Sequence, residues 1–165
     1  MCPRQHSCSG FTLVELMITV AVIGVIAVIG VPGLKAVLDN NRLSSQTNKL
    51  VSSIHLARSE AVKRNASVTL CPLGSDNRCG SEWRKGWMVI ADGEVLQVVD
   101  VPNALVDVST QPAALVFDGE GRVNVPRTIT IQRASYVTDE GKGKDPMARE
   151  VEVMIGGSVH ASRAE

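Results

Sequence analysis

Gly10-Phe11-Thr12-Leu13-Val14-Glu15, continued by an unbroken apolar run to Val31 and then Pro32, is the stretch that decides the architecture. From Phe11 to Val31 the chain carries one charge, Glu15, and its only other polar side chains are Thr12 and Thr19. A helix of that length spans about 32 Å at 1.5 Å per residue, enough to cross a hydrocarbon core of about 30 Å. The preceding segment, Met1 to Gly10, holds one charged side chain, Arg4, so the positive-inside rule places this end in the cytoplasm and exports the chain beyond Val31. Asp, Lys and Arg recur too often downstream for a second span. A single pass is expected.

Three accounts of this N-terminus compete. A secretory signal has a basic start, an apolar core of 7–15 residues and a small-residue cleavage site. The run here is longer, and Glu15 stands in its first turn, where a lone carboxylate next to hydrocarbon is costly. A plain anchor helix gives no reason for Glu15. The third account is a resemblance. The string Gly10 to Glu15 with its apolar continuation resembles the class III signal of type IV pilins and type II secretion pseudopilins. That resemblance implies cleavage by a cytoplasmic-side prepilin peptidase between Gly10 and Phe11, and N-methylation of the new N-terminal Phe11.

The chemistry of the motif can be argued physically. Gly10 lets the peptide lie close to a protease, and cleavage frees an amine at Phe11. Glu15 follows one helical turn later. In a filament the amine of one subunit meets the Glu15 carboxylate of its neighbour inside an apolar bundle, where opposite charges together are far less costly than either alone. Glu15 thereby sets assembly register. The competing account is a Glu15 that stays protonated or snorkels to the headgroups.

The composition of the 165 residues fits one domain: 44% are apolar, and seventeen basic side chains balance seventeen acidic ones. A neutral chain lacks the basic face of a dedicated nucleic-acid protein. Losing the leader 1–10 removes Arg4 along with Cys2 and Cys8, leaving sixteen basic against seventeen acidic side chains, a net −1. Cys71 and Cys79 then remain, eight positions apart around Pro72, Gly74 and Asp76-Asn77, in an exported segment. They read as a disulfide closing a small loop. Zinc would need two more ligands, and His55 and His160 lie far from either Cys in sequence.

After Pro32, which would kink or open the junction, helical spacing resumes. Leu34, Val37, Leu38, Leu50, Val51, Ile54, Ala57 and Ala61 alternate with charged residues and predict an amphipathic continuation over 32–65. From Ala66 the period becomes two. Val68 to Leu70, Trp87 to Ile90, Glu94 to Val99, Leu105 to Val108, Leu115 to Phe117, Arg122 to Val125, Thr128 to Gln132 and Glu150 to Ile155 are the expected strands. Asp92-Gly93 is a hairpin signal, and Thr138 to Pro146 reads as a mobile loop. A helix followed by strands means α+β, with a sheet laid against the helix over 66–165.

A second resemblance narrows the family. Leu70-Cys71-Pro72, the Gly-bounded loop to Cys79, and Trp83-Arg84-Lys85-Gly86-Trp87-Met88-Val89-Ile90-Ala91-Asp92 look like the pattern of H-type pseudopilins and their related minor pilins. Val116-Phe117-Asp118-Gly119-Glu120-Gly121-Arg122 is similar to that family's Phe-x-x-x-Gly strand-turn. The likeness implies a pilin-like fold, a long N-terminal helix on an antiparallel β-sheet domain. It implies partners among other minor pilins or pseudopilins, the major subunit, the prepilin peptidase and the inner-membrane assembly platform. The expected location is the inner membrane, with the C-terminal domain in the periplasm, and later the filament. Trp83 and Trp87 read as core packing rather than ligand stacking.

Two other functions compete with assembly. Some minor pilins of this group are DNA receptors with a C-terminal Gly-Arg-x-Arg motif. The matching stretch here is Gly156-Gly157-Ser158-Val159-His160-Ala161-Ser162-Arg163, with Ser158 and His160 where the arginines would stand. Each missing phosphate contact lowers salt-sensitive affinity. Arg122, Arg127 and Arg163, with Arg133, are the remaining candidates for DNA contacts. An enzyme has little behind it: no Ser-His-Asp or Cys-His arrangement is legible, Gly119-Glu120-Gly121 is too short for a phosphate loop, and no cofactor is implied.

Overall fold

The computed structural model describes residues 11–76, 78–101, 107–109, 114–137 and 145–164. It divides into two compact units, one ending at Leu38 and one beginning at Asp39. Helix α1, Leu13–Arg64, runs through both and includes Pro32.

In the first unit the apolar residues of α1 are exposed along the run, Leu13 at 74% and Val28 at 76%. Leu34, Val37 and Leu38 are exposed as well, so the apolar stripe expected from Leu34 enters no core until Leu43. This part of α1 is long and apolar enough to cross a membrane.

In the second unit α1 buries Leu43, Leu50, Ile54, Ala57 and Ala61, a stripe spaced by three, four and seven. The helix stops for a local reason. Asn65 adopts a left-handed φ of 49°, Asn65 N–H donates to Val62 O at 3.3 Å and Ala66 N–H to Ala61 O at 3.2 Å. These are the paired bonds of a Schellman cap with Asn in place of the usual Gly. Arg64 then reaches Glu60 at 2.9 Å and Glu94 at 3.3 Å, tying the helix end to the sheet.

The strands form two antiparallel sheets rather than the single sheet expected. The first has β1 (Val68–Pro72), β2 (Gly86–Ala91), β3 (Glu94–Asp100) and β5 (Leu115–Phe117) in the order β3-β2-β1-β5. The second has β4 (Asp107–Ser109), β6 (Arg127–Gln132), β7 (Arg149–Val153) and β8 (Val159–Arg163) in the order β4-β6-β7-β8. One core joins them to α1 through Leu70, Trp87, Val89, Phe117, Ile129, Ile131, Val151 and Val153. Trp83 at 4% and Trp87 at 0% exposure are core residues, as expected.

Asp92 and Gly93 both have positive φ, 51° and 80°, so the β2–β3 connection is the two-residue turn whose twist matches the strands. Three strand expectations change. Arg122 to Val125 forms no strand, because Asp118 Oδ1 accepts from Glu120 N–H at 3.0 Å and Arg122 N–H at 2.8 Å and curls the chain. Val123 makes an isolated bridge to Phe117 and donates its N–H to Ile155 O at 2.9 Å. The strand expected over Glu150 to Ile155 ends at Val153, where a turn feeds β8, which alternation did not reveal. Residues 102–106, in the strand expected from Leu105, and 138–144, in the loop expected from Thr138, lie outside the described residues.

Candidate functional site

The head of α1 carries the motif. Thr12 directly precedes the helix, and its Oγ1 accepts the Glu15 backbone N–H at 3.2 Å. Thr12 is therefore the N-cap and Glu15 the third helical residue, the Thr-x-x-Glu arrangement of a capping box. That local role of Glu15 was legible in the sequence as Thr12-Leu13-Val14-Glu15 and was missed beside its charge. Its carboxylate also stands in the first turn, where the helix dipole favours an anion. Phe11 and Glu15 are both exposed, while Gly10 lies outside the described residues.

Cys71 and Cys79 are joined by a disulfide, with Cα atoms 5.5 Å apart. Cys71 is buried in β1 and Cys79 exposed, so the bridge staples a surface loop to the first sheet. Gly80 N–H donates to Pro72 O at 2.8 Å, closing the loop a second time. A Cβ on Gly74 or Gly80 would come within 2.4 Å or 2.6 Å of backbone oxygen, which accounts for both glycines.

Two polar anchors hold the domain's surfaces in place. Ser53 Oγ accepts from Trp87 Nε1–H at 2.9 Å, and its own hydrogen serves Gln97 Oε1 at 2.7 Å or Lys49 O at 3.0 Å. This fastens α1 to β2 and β3 at one point. The second anchor is Asp145, fully buried and paired with Arg133 at 2.7 Å. Burial pushes the Asp145 carboxyl up, but the Arg133 guanidinium and the backbone N–H groups of Arg133 and Met147 outweigh it and hold it below the ordinary carboxylate value. Arg133 also stacks on the Tyr136 ring at 4.6 Å.

The three arginines expected as DNA contacts are not brought together. Arg122 is ion-paired with Asp118 and Glu120. Arg127 pairs in register with Val153 at one end of the second sheet, whereas Arg163 pairs with Arg149 at the other. Four residue steps along β7 separate those ends, about 13 Å at 3.3 Å per residue. Arg133 is committed to Asp145. Ser158 and His160 are exposed, and Gly157 is buried against α1.

A groove of about 620 Å³ runs along the polar side of α1 in the second unit, lined by Asn41, Ser44, Asn48 and Ser52 and by Gln97 and Val99 of β3. Its signal in the sequence is the run of small polar residues between the buried apolar positions, which has the pattern of an ordinary solvated face.

Residues 46–157 match the family described as Type II transport protein GspH. The chain belongs to the GspH family. Residues 5–31 match the prokaryotic N-terminal methylation motif, over the same stretch that starts α1. The fold is similar to that of the type IV minor pilin FimU of Pseudomonas aeruginosa in two crystal forms. One is 23% identical, covers 74% of this chain and 89% of that one, and has a TM-score of 0.58; the other is 22% identical, covers 73% and 92%, and has a TM-score of 0.55. No curated protein matches the chain. GspH membership makes this a structural subunit of the pilin and pseudopilin class, anchored by its apolar helix, and not an enzyme.

Proposed function

We propose that this GspH-family chain is a minor pilin or pseudopilin subunit, cut by prepilin peptidase between Gly10 and Phe11, N-methylated on Phe11, and built into a type IV pilus or a type II secretion pseudopilus. The observation that carries this reading is the join of an exposed apolar helical segment, headed by Thr12 and Glu15, to a domain that matches the family over 46–157. An apolar helix face with no core of its own must be covered by lipid before assembly and by other subunits afterwards. Pro32 gives α1 a place to bend between those two states. Before assembly the chain is a single-pass inner-membrane protein with its domain in the periplasm, where Cys71 and Cys79 oxidise. Its partners are the other minor subunits, the major subunit, the prepilin peptidase and the assembly platform.

Glu15 is the residue to test, and its capping geometry requires two variants. Thr12 Oγ1 still caps the backbone N–H of residue 15 in both variants; Glu15→Val removes the charge and the polar side chain, whereas Glu15→Gln keeps a polar side chain of the same length and removes only the charge. Both should insert and lose the leader like the native chain, and both should be depleted from sheared filaments. Normal incorporation of Glu15→Gln would overturn the charge-pairing role.

The alternative, a DNA-receptor pilin, has less support because Arg122, Arg127 and Arg163 are dispersed. A gel shift with the domain at physiological salt decides it, and tight binding would reinstate that reading.

A further inference from the structure

The second sheet places two arginines side by side, with no acid paired to either among the described residues. Arg149 on β7 and Arg163 on β8 are direct cross-strand partners, and they share a face with Val151 and Ala161, the face turned toward α1. Directly opposed residues have Cβ atoms about 5 Å apart, and like charges there are destabilising. Arg149 donates through Nη2 to Asn40 Oδ1 at 3.0 Å, while Arg163 is exposed and its side chain makes no hydrogen bond or ion pair among the described residues. No described carboxylate lies within ion-pair distance of either guanidinium. Glu150 and Glu152 alternate to the opposite face of the sheet.

Between the two arginines and α1 lies a notch of about 210 Å³, completed by Ser44, Thr47, Asn48 and Ser162. Thr47 spends its hydroxyl hydrogen on Leu43 O at 2.8 Å, which leaves Ser44 and Asn48 as neutral donors at the rim. Ser44 and Asn48 also line the 620 Å³ groove between α1 and β3, so the notch and the groove border the same two residues of α1. A protein element lying along this stretch of α1 would place side chains next to the notch.

We infer that this notch receives a carboxylate side chain presented by a neighbouring subunit of the pilin class. Two guanidinium forks matched to one planar carboxylate relieve the Arg149–Arg163 repulsion and supply charge-assisted hydrogen bonds. The size and charge favour a single acidic head over a polyanion. The notch offers two cations, and the processed chain has a net charge of only −1, so no extended positive field gathers a phosphate backbone. The inference rests on the assembly function proposed above, and its two experimental arms fail separately from that function.

In the first arm the processed full-length chain in detergent micelles is titrated with sodium glutarate, a mimic of a Glu side chain, against sodium chloride at equal ionic strength. The arginine Nε–Hε signals of Arg149 and Arg163 should shift saturably with glutarate, weaken at higher salt, and lose the response in Arg163→Ala. Arg163→Lys should keep part of it, since charge remains and the fork is lost. No saturable shift beyond the chloride control, or a shift indifferent to Arg163→Ala, overturns the site.

In the second arm the Arg149→Ala/Arg163→Ala chain is expressed in cells and its recovery in sheared filaments compared with native. It should reach native membrane levels and form the Cys71–Cys79 bridge, yet fall about three- to tenfold in filaments. Glutarate binding with native incorporation would overturn the neighbouring subunit as occupant and leave a site for a free anion. A native chain absent from filaments would overturn the assembly function and the occupant together, with glutarate saturation still establishing the anion notch.

Discussion

Arg58 on α1 donates through Nη1 to the carbonyl oxygen of Gly157 at 3.0 Å, joining residues 99 positions apart. Gly157 has a φ of 72°, and a Cβ there would stand 2.1 Å from Gly121 O. Gly121 also has positive φ, and a Cβ on it would press on Val62 and Arg58. Two tight turns, one after β5 and one between β7 and β8, therefore close on each other and on the helix.

Gly157→Ala should destabilise the domain by about 2–4 kcal/mol, combining the left-handed backbone penalty with the overlap on Gly121 O. Arg58→Ala should cost about 1–2 kcal/mol, because the turn keeps its backbone and loses one hydrogen bond to a charged group. Urea midpoints of the fragment from Asp39 onward check both, and a larger loss for Arg58→Ala than for Gly157→Ala would contradict this ranking.

Removing the Ser53 hydroxyl strands Trp87 Nε1–H in the core. Ser53→Ala is expected to cost about 1–3 kcal/mol, the penalty for a buried donor without a partner. Trp87→Phe in the Ser53→Ala background should cost less than in the native chain. Additive losses in that double-mutant cycle would show that the bond contributes nothing.

Reduction of Cys71–Cys79 should lower stability by about 2–3 kcal/mol, the loop-closure entropy of so short a ring. Cys71→Ser/Cys79→Ser should match the reduced native chain and be insensitive to added thiol. The check is the melting temperature with and without dithiothreitol; a native chain unaffected by reduction would show that the glycine-bounded loop holds itself.

Asp145 gives the domain an acid-sensitive anchor. Its folded-state carboxyl titrates below the ordinary Asp value, so its contribution is fully present above about pH 4 and is lost as pH falls through the lower folded value. Asp145→Asn should destabilise the domain at pH 7, where it removes the partner of Arg133, and should flatten the loss of stability as pH falls below about 4. Urea midpoints across that range test the sign; an Asn variant with an unchanged acid limb would rule out Asp145 as its source.

Much of the fold was readable in order along the chain. An apolar run with one carboxylate announces a membrane helix, period three to four announces its amphipathic continuation, and Asp92-Gly93 announces a hairpin, because each is a local rule of spacing or backbone geometry. Cys71 and Cys79 were legible as a pair because they remain after the leader is removed. Arg122 to Val125 misled because an Asp side chain competed for the backbone and won over alternation. β8 was hidden because its residues, Val159 to Arg163, alternate weakly on an exposed edge strand and are specified by pairing with β7 rather than by their own pattern.

By itself the sequence determined the helix, the capping signal at Thr12 and Glu15, and the separation of an apolar anchor from a β-rich domain, since hydrophobic run length and period act within a few residues. Only tertiary structure decided that the strands split into two sheets around one helix, that Arg58 would meet Gly157, and that Arg149 and Arg163 would stand side by side while Arg122 and Arg133 were consumed by acids. Those outcomes depend on register between segments far apart in the chain, and a shift of one residue in β8 would turn Arg163 to the other face of the sheet.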